Sequence, residues 1–448
     1  MTLSPSNWPK KLFTSTTVIH VLVFLSVASS TLEAAAGGST FELELPDAAQ
    51  SEEIKVKSTD FPGDFVFGVA TSAAQTEGAP KADGKGQSVW EYFAAHFPGI
   101  VKDNTKFPDG IDSYNRYMDL GVGSYRFSIP WTRILPSGAL SGGVNQKAVD
   151  HYNSLINELI KNGIKPSVTI LHFDLPQALE EKYGGYLNRS FVNDFRDYSD
   201  VLFKTFGDRV KHWVTINEPK VLALYGYENG WAPPGCTRRS IRFTEPLVFG
   251  DYPKSMKESV KERLPAFTEE EKTALTGSFD FLGINYYLSG FARNEPNPSP
   301  EAMLPHEIDA KASDQVAKNG VVLGNPLGSY PEGLQKLLEY TKTKYQNPNI
   351  YIAENGVGGF RNDTMPLEVV LNDGFKIVYI LRHLNAISKA IKNGVKVKGY
   401  YIWTLLDDFE WGTGLMFQYG LYNIDFNDNF KRMPRLSAKW YQAYLQKT

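Results

Sequence analysis

Two short stretches, Thr215-Ile216-Asn217-Glu218-Pro219 and Ile352-Ala353-Glu354-Asn355-Gly356, each carry an apolar, β-branched run into a glutamate, and they lie far apart in the chain. Two separate strand ends can therefore each supply one carboxyl group. Cleavage of a glycosidic bond through an oxocarbenium-like state needs that kind of pair: one carboxyl protonates the leaving oxygen, and the other stays ionised to attack the sugar. Alone, a strand-end glutamate is more often a solvated loop carboxylate, and a lone histidine such as His172 more often a satisfied core residue. The weight therefore rests on what surrounds them.

The elements that must position these residues can be read from hydrophobic periodicity. Strand-length runs occur at Phe65 to Ala70, Tyr125 to Ile129, Ser167 to His172, His212 to Asn217, Phe279 to Tyr287, Ile350 to Glu354 and Lys398 to Leu405, and most end in polar or charged residues. Between them Val149, Tyr152, Leu155, Ile156, Leu159 and Ile160 recur at helical spacing before Gly163. Phe191, Phe195, Tyr198, Leu202 and Phe206 do so before Gly207, and Ile377, Ile380, Leu384, Ile387 and Ile391 before Gly394. Apolar strands alternating with amphipathic helices predict a parallel sheet covered by helices. Chemistry at the strand C-termini favours a closed barrel over an open sheet.

The chain has 448 residues, 42% hydrophobic and 13% aromatic, with a formal net charge of -3. It is long enough for a large core and lacks the basic excess that a nucleic-acid partner requires. Lys10 and Lys11 precede the apolar run Val18 to Leu25, and small residues at Ala28 or Ala34 to Ala36 offer a cleavage point, so residues 1–36 read as a signal peptide. Residues 37–60 read as a linker and 61–448 as one catalytic domain. After signal removal no stretch approaches the roughly 20 apolar residues of a membrane helix. The sequons Asn188-Arg189-Ser190 and Asn362-Asp363-Thr364 suit a secretory route, ending outside the cell or in a vacuole. The single Cys236 has no partner for an internal disulfide. His172 with Asp174 is too sparse for a metal site, and neither a metal nor another cofactor is expected. Asp407 and Asp408 read as surface charge without a role.

Seven motifs then define a resemblance. Phe67 to Ala73 (FGVATSA), Tyr125 to Ile129 (YRFSI), Leu171 to Gln177 (LHFDLPQ), Thr215 to Pro219 (TINEP), Gly283 to Tyr287 (GINYY), Ile352 to Gly356 (IAENG) and Trp403 to Trp411 (WTLLDDFEW) stand in the order found in family 1 glycoside hydrolases, and the chain resembles the plant β-glucosidases among them from about Phe61 onward. The resemblance implies a (β/α)8 barrel and retention of configuration, with Glu218 as acid/base and Glu354 as nucleophile. By the same resemblance Arg126 and Tyr287 would support the nucleophile. Gln75, His172, Asn217, Tyr287, Glu410 and Trp411 would hold sugar hydroxyls, and Trp403 would form a stacking platform. It implies a small-molecule β-glucoside as partner, with galactose or fucose tolerated. Relatives that cut thioglucosides lack the acid glutamate, so Glu218 favours an O-glycoside.

Two departures stand out. After Pro233-Pro234-Gly235-Cys236-Thr237 the chain enters Thr244-Glu245-Pro246-Leu247 almost at once, where the family places a complete fifth strand. About 70 to 90 residues of the usual eight βα units are absent, with the junction near Ser240. By the family pattern, Cys236 is half of a loop disulfide whose partner went with them. A smaller gap near Tyr117 shortens the first helix by about two turns. The predicted barrel is thus incomplete, with two free strand edges unless the strands flanking the gap meet. Three readings stay open: β-O-glucoside hydrolysis, transfer of glucose to an acceptor alcohol, and an inactive or merely sugar-binding truncated member.

Overall fold

The structure, a computed structural model, describes residues 21–22, 54–97, 99–103, 121–235, 244–289, 291–294, 297, 312–315, 317–318, 321–322 and 329–446. Cys236, the junction near Ser240 and the shortened first helix lie outside the described residues.

Eight parallel strands form one sheet: β1 (Val21–Leu22), β2 (Val66–Ala70), β3 (Ser124–Ser128), β4 (Lys165–Leu171), β5 (His212–Ile216), β6 (Leu282–Asn285), β7 (Ile350–Asn355) and β8 (Val397–Trp403). Their spatial order is β1-β6-β7-β8-β2-β3-β4-β5. The seven runs expected from sequence are thus all strands, each within a few residues of its predicted bounds. The largest trim is at β6, where Phe279 to Phe281 and the two tyrosines fall outside the ladder. Every residue of β3, and every residue of β4 but its first, is buried, as both faces of a parallel sheet must be when helices cover one side and the barrel interior the other.

The covering helices include α1 (Gln146–Lys161), α2 (Ser190–Phe206), α3 (Pro331–Lys344) and α4 (Gly374–Lys392). In α1 the predicted face holds for Val149, Tyr152, Leu155, Ile156 and Leu159, but Ile160 is 42% exposed. It lies one residue beyond the buried stripe, where 100° per residue has turned it outward. Gly163, at φ +73, ends the helix in the left-handed conformation that glycine adopts without steric cost, and Ile164 N–H donates back to Leu159 O at 2.9 Å. α2 is clamped by Tyr198, whose ring stacks on Trp131 at 4.9 Å while its hydroxyl donates to Ile129 O at 2.6 Å.

The missing segment leaves its mark between β5 and β6, which form no backbone ladder with each other. The two-residue β1 lies in that slot, pairing Val21 with Leu282 and Leu22 with Gly283 beside β5. Side chains also cross the gap. At its lower end His212 stacks on Phe281 at 4.2 Å and meets Tyr351 edge-on at 4.6 Å, above a small separate core of Val214, Phe281 and Ala353. At its upper end Asn285 reaches the residues at the tip of β5. The residues of the two flanking strands thus touch each other directly through side chains, with β1 paired to β6 in the slot between them.

The packed body starts earlier than the Phe61 boundary read from composition. Val56 joins the main core, and Ser58, in a 3-10 turn over Ser58–Asp60, donates to Tyr444 O at 3.0 Å. The charged neighbours Glu52, Glu53, Lys55 and Lys57 hide this anchor in the sequence. Both sequon asparagines, Asn188 and Asn362, are exposed.

Candidate active site

All seven family-type strands send side chains to their C-terminal end, whereas β1 contributes none of the site residues. β2 leads to Gln75 on the short helix Ala73–Thr76, β3 carries Arg126, and His172 follows β4. Asn217 and Glu218 follow β5, Asn285 ends β6 just before Tyr287, and Glu354 lies in β7. Trp403 ends β8, with Glu410 and Trp411 in the loop beyond. Two backbone features set the rim. Glu218 sits at φ +43, a left-handed position that costs a non-glycine residue about 1 kcal/mol and is typical of functional turns. A Cβ on Gly356 would fall 1.9 Å from the Trp403 carbonyl oxygen, so only glycine lets the end of β7 pass the end of β8. The Trp403–Thr404 peptide there is cis.

Arg126 organises the floor. Its guanidinium, 1% exposed, donates to Glu354 Oε1 at 2.6 Å, Ala353 O at 3.1 Å, Asn217 Oδ1 at 2.8 Å and Thr169 Oγ1 at 3.1 Å. The fork geometry of arginine allows this spread, which a point-like ammonium could not match. Tyr287 donates its hydroxyl to Glu354 Oε2 at 2.6 Å. Burial, then the Glu354 charge, push the Tyr287 phenol well above its ordinary range, so it remains a donor. Glu354 therefore has a cation on one oxygen and a hydroxyl on the other.

Glu218 is treated in the opposite way. Among the described residues its one hydrogen-bond donor is Asn285 Nδ2, at 2.9 Å from Oε1. Burial, then the nearby Glu354 charge, raise its pKa to about 8, against the smaller pull of Asn285 and Arg126. One site thus holds a carboxylate with a compensating cation and a carboxylic acid that keeps its proton at neutral pH.

Sugar-facing polarity follows from the same network. Arg126 fixes the Asn217 amide oxygen, so the Asn217 NH2 must face His172 Nε2, 3.1 Å away, which then accepts. The remaining ring nitrogen, Nδ1, is buried and without a partner. Burial, and secondarily Arg126, hold the imidazole pKa well below its usual value, so the ring is neutral. Glu410 Oε1 accepts from Trp403 Nε1 at 3.1 Å and Gln75 Nε2 at 3.3 Å, and Gln75 is itself held by Ser72 Oγ at 2.6 Å. The His172 ring lies 5.8 Å from Trp403 and 6.1 Å from Trp411, nearly parallel to both. The residues singled out from sequence are thus brought together in one network.

Sequence reading missed two things. Asn285, the donor to Glu218, stood inside a quoted motif without a role, although its place at a strand end beside two tyrosines was a usable signal. Asp407 and Asp408, read as surface charge, are each 1% exposed. Asp407 is locked by Arg435 in a bidentate pair at 2.9 and 2.7 Å and accepts from Gly420 N–H at 3.0 Å. The cation that permits its burial lies 28 residues downstream, so no local pattern could show it.

The chain matches the glycosyl hydrolase family 1 model in two blocks, residues 57–242 and 237–448, which meet at the junction placed near Ser240. It is 39% identical to Beta-glucosidase 13 of Arabidopsis thaliana, covering 87% of this chain and 93% of the relative. It is 37% identical to Beta-glucosidase 11 of rice over 517 aligned positions, with 96% and 94% covered. That alignment is longer than this chain, so it spans positions that the relative has and this chain lacks. The fold superposes on the crystal structure of a rice β-glucosidase with TM-score 0.82 at 35% identity, covering 87% of this chain and all of that one. A β-glucosidase from the fungus Humicola insolens in complex with glucose matches with TM-score 0.81 at 31% identity, covering 86% and 98%. With the motif order, the paired glutamates and the barrel agreeing, the chain belongs to glycosyl hydrolase family 1.

Proposed function

We propose that the chain hydrolyses β-O-glucosides with retention of configuration, Glu218 serving as acid/base and Glu354 as nucleophile. The observation that carries this reading is the opposite treatment of the two carboxyls: Glu354 is braced by Arg126 and Tyr287, and Glu218 is held protonated with a single amide donor. Glu218 would protonate the leaving oxygen while Glu354 attacks the anomeric carbon. Water, deprotonated by Glu218, would then release the sugar. A mutant of a rice relative has been solved in a covalent complex with glucose, the type of intermediate this route requires. Asn217, His172, Gln75 and Glu410 would hold the sugar hydroxyls, and sugars lacking one would leave these buried groups unpaired. Glycosylation of the exposed Asn188 and Asn362 in the secretory pathway belongs to the same reading.

Glu354→Gln is expected to abolish turnover of an aryl β-glucoside, and azide should restore it in part to Glu354→Gly, with release of the α-glycosyl azide. A folded Glu354→Gly variant that azide does not rescue overturns the assignment. The absent segment between β5 and β6 favours one rival, a protein that binds sugar without cutting it. Calorimetric binding of glucose with no hydrolysis of an activated aryl glucoside would select that rival.

A further inference from the structure

Asp408 is a buried carboxyl that the proposed reaction does not use. It is 1% exposed, and among the described residues neither of its oxygens accepts a hydrogen bond of good geometry. The nearby donors are already committed. Trp403 Nε1 and Gln75 Nε2 both go to Glu410, and Gly420 N–H goes to Asp407. The Thr404 hydroxyl also faces Asp408, where it would favour the charged form, but its one proton goes to Ala70 O at 2.9 Å. The cations around the adjoining Asp407 are taken as well: Arg435 by Asp407, and Lys376 by the Gly420 carbonyl and Asp373. With Thr404 committed, Glu410 is the other side chain within hydrogen-bonding reach of Asp408 among the described residues.

A carboxylate there would be a buried anion with no donor, beside a second carboxylate. That arrangement costs far more than keeping one proton. We propose that Asp408 is a resident carboxylic acid which donates its proton to Glu410 and thereby orients that carboxylate for the sugar hydroxyls. Asp408 is then a positioning residue, acting through Glu410, and its use in binding rests on the glucoside reading above. The titration pattern agrees: burial, then the Glu410 charge, drive Asp408 well above the ordinary carboxyl range, while Glu410, raised by its own burial to about 7, is the more acidic of the two and so the acceptor. The other groups around the pair are Glu354, whose charge reaches Glu410, Asp407 with its Arg435, and the Tyr419 phenol, which burial keeps neutral.

This assigns a definite order to substitutions. Asn is isosteric with Asp and brings an amide donor, so Asp408→Asn should keep KM for an aryl β-glucoside within about twofold of the parent. Asp408→Ala removes the donor and frees the Glu410 carboxylate to turn. A lost hydrogen bond to a charged group predicts KM about tenfold higher or more, with kcat changed less and the far-ultraviolet circular dichroism intact. Asp408→Asn behaving like Asp408→Ala in a folded protein overturns the proposal, because an anion would then be what the site needs. Asp408→Ala matching the parent overturns it too.

If the parent chain shows no turnover at all, the glucoside reading fails, and the protonation state is read separately. The infrared difference spectrum between the parent and Asp408→Asn at pH 7 should contain the carbonyl band of a protonated carboxylic acid. A carboxylate band in its place refutes the proposal whether or not the chain is active.

Discussion

Arg126 ties together the stability and the chemistry of the site, and a double-mutant cycle can separate them. Replacing it with methionine keeps most of the side-chain volume and removes every donor. Four hydrogen bonds go, and Glu354, only 4% exposed at its side chain, is left as a buried anion with Tyr287 as its one donor. Breaking a buried ion pair from one side costs about 3 to 5 kcal/mol. For a folded body of about 350 residues the unfolding entropy is about 0.7 kcal/mol per degree, so the melting temperature should drop by about 4 to 7 °C. Arg126→Met alone cannot say whether the loss comes from the pair or from the bonds to Asn217, Thr169 and Ala353.

Those three bonds disappear in either background, whereas the stranded charge exists only while Glu354 is ionised. Arg126→Met should therefore cost markedly less in a Glu354→Gln background, with a coupling of about 2 kcal/mol or more by thermal unfolding at pH 7. Turnover should stay lost in both variants. Equal costs in the two backgrounds would mean that the guanidinium matters as a packing and amide-binding group. The account of Glu354 as a charge held by its neighbour would then be wrong. Arg126→Lys should fall between parent and methionine variant, because one ammonium cannot reach Glu354, Asn217 and Thr169 together.

Four further outcomes are expected. With Glu218 at about pKa 8, kcat/KM for a glucoside with a poor leaving group should fall on an alkaline limb near pH 8, and that limb should vanish in Glu218→Gln assayed with an activated aryl glucoside; a limb that persists unmoved assigns it elsewhere. The same raised pKa means the native state holds a proton that the unfolded state releases, so this group's contribution to stability falls as pH rises from about 4.5 to about 8. Glu218→Gln should flatten that decline in denaturant titrations, and an unchanged slope would count against it. His172→Ala should raise KM for glucosides by up to about tenfold through the loss of one neutral hydrogen bond, and an unaltered KM would remove His172 from the sugar site. Phe281→Ala, at the lower end of the β5–β6 gap, should cost about 3 to 5 kcal/mol, against at most about 0.5 for the half-exposed Leu187→Ala; equal small effects would show that the bridge across the gap is not part of the core.

Sequence reading went furthest where local pattern and position coincide. The strands were legible because parallel strands buried on both faces are near-continuous runs such as Val168 to Leu171, and the paired glutamates because each closes such a run. Ile160 was misread since a helical stripe has edges that spacing alone does not locate. Asp407 and Asp408 were misread for a deeper reason: an acidic pair resembles solvated surface until its partners are known. Arg435, the partner of Asp407, is brought in by the fold from 28 residues downstream, and the burial that turns Asp408 toward its near neighbour Glu410 is likewise set by the fold.

The lesion between β5 and β6 was legible as an absence, but its repair was not. Nothing in His212 or Phe281 announces that they stack over the missing strand, and nothing in Asn285 announces that it will reach Glu218 from the opposite edge of the same gap. Because that one amide is the donor to the acid, the catalytic pair is coupled to how closely β5 and β6 approach. Any loosening there lengthens the Asn285–Glu218 contact before it touches Arg126 and Glu354, which belong to β3 and β7, or Tyr287, which follows β6. β1 lies within residues 1–36, the segment read from sequence as a signal peptide, so removing those residues empties the slot, and comparing the full chain with the chain lacking them tests this coupling directly. The truncated chain should melt lower, and the alkaline limb assigned to Glu218 should move upward as it loses the donor that favours its charged form. A truncated chain with the parent's melting temperature and pH profile would show that side chains alone close the barrel.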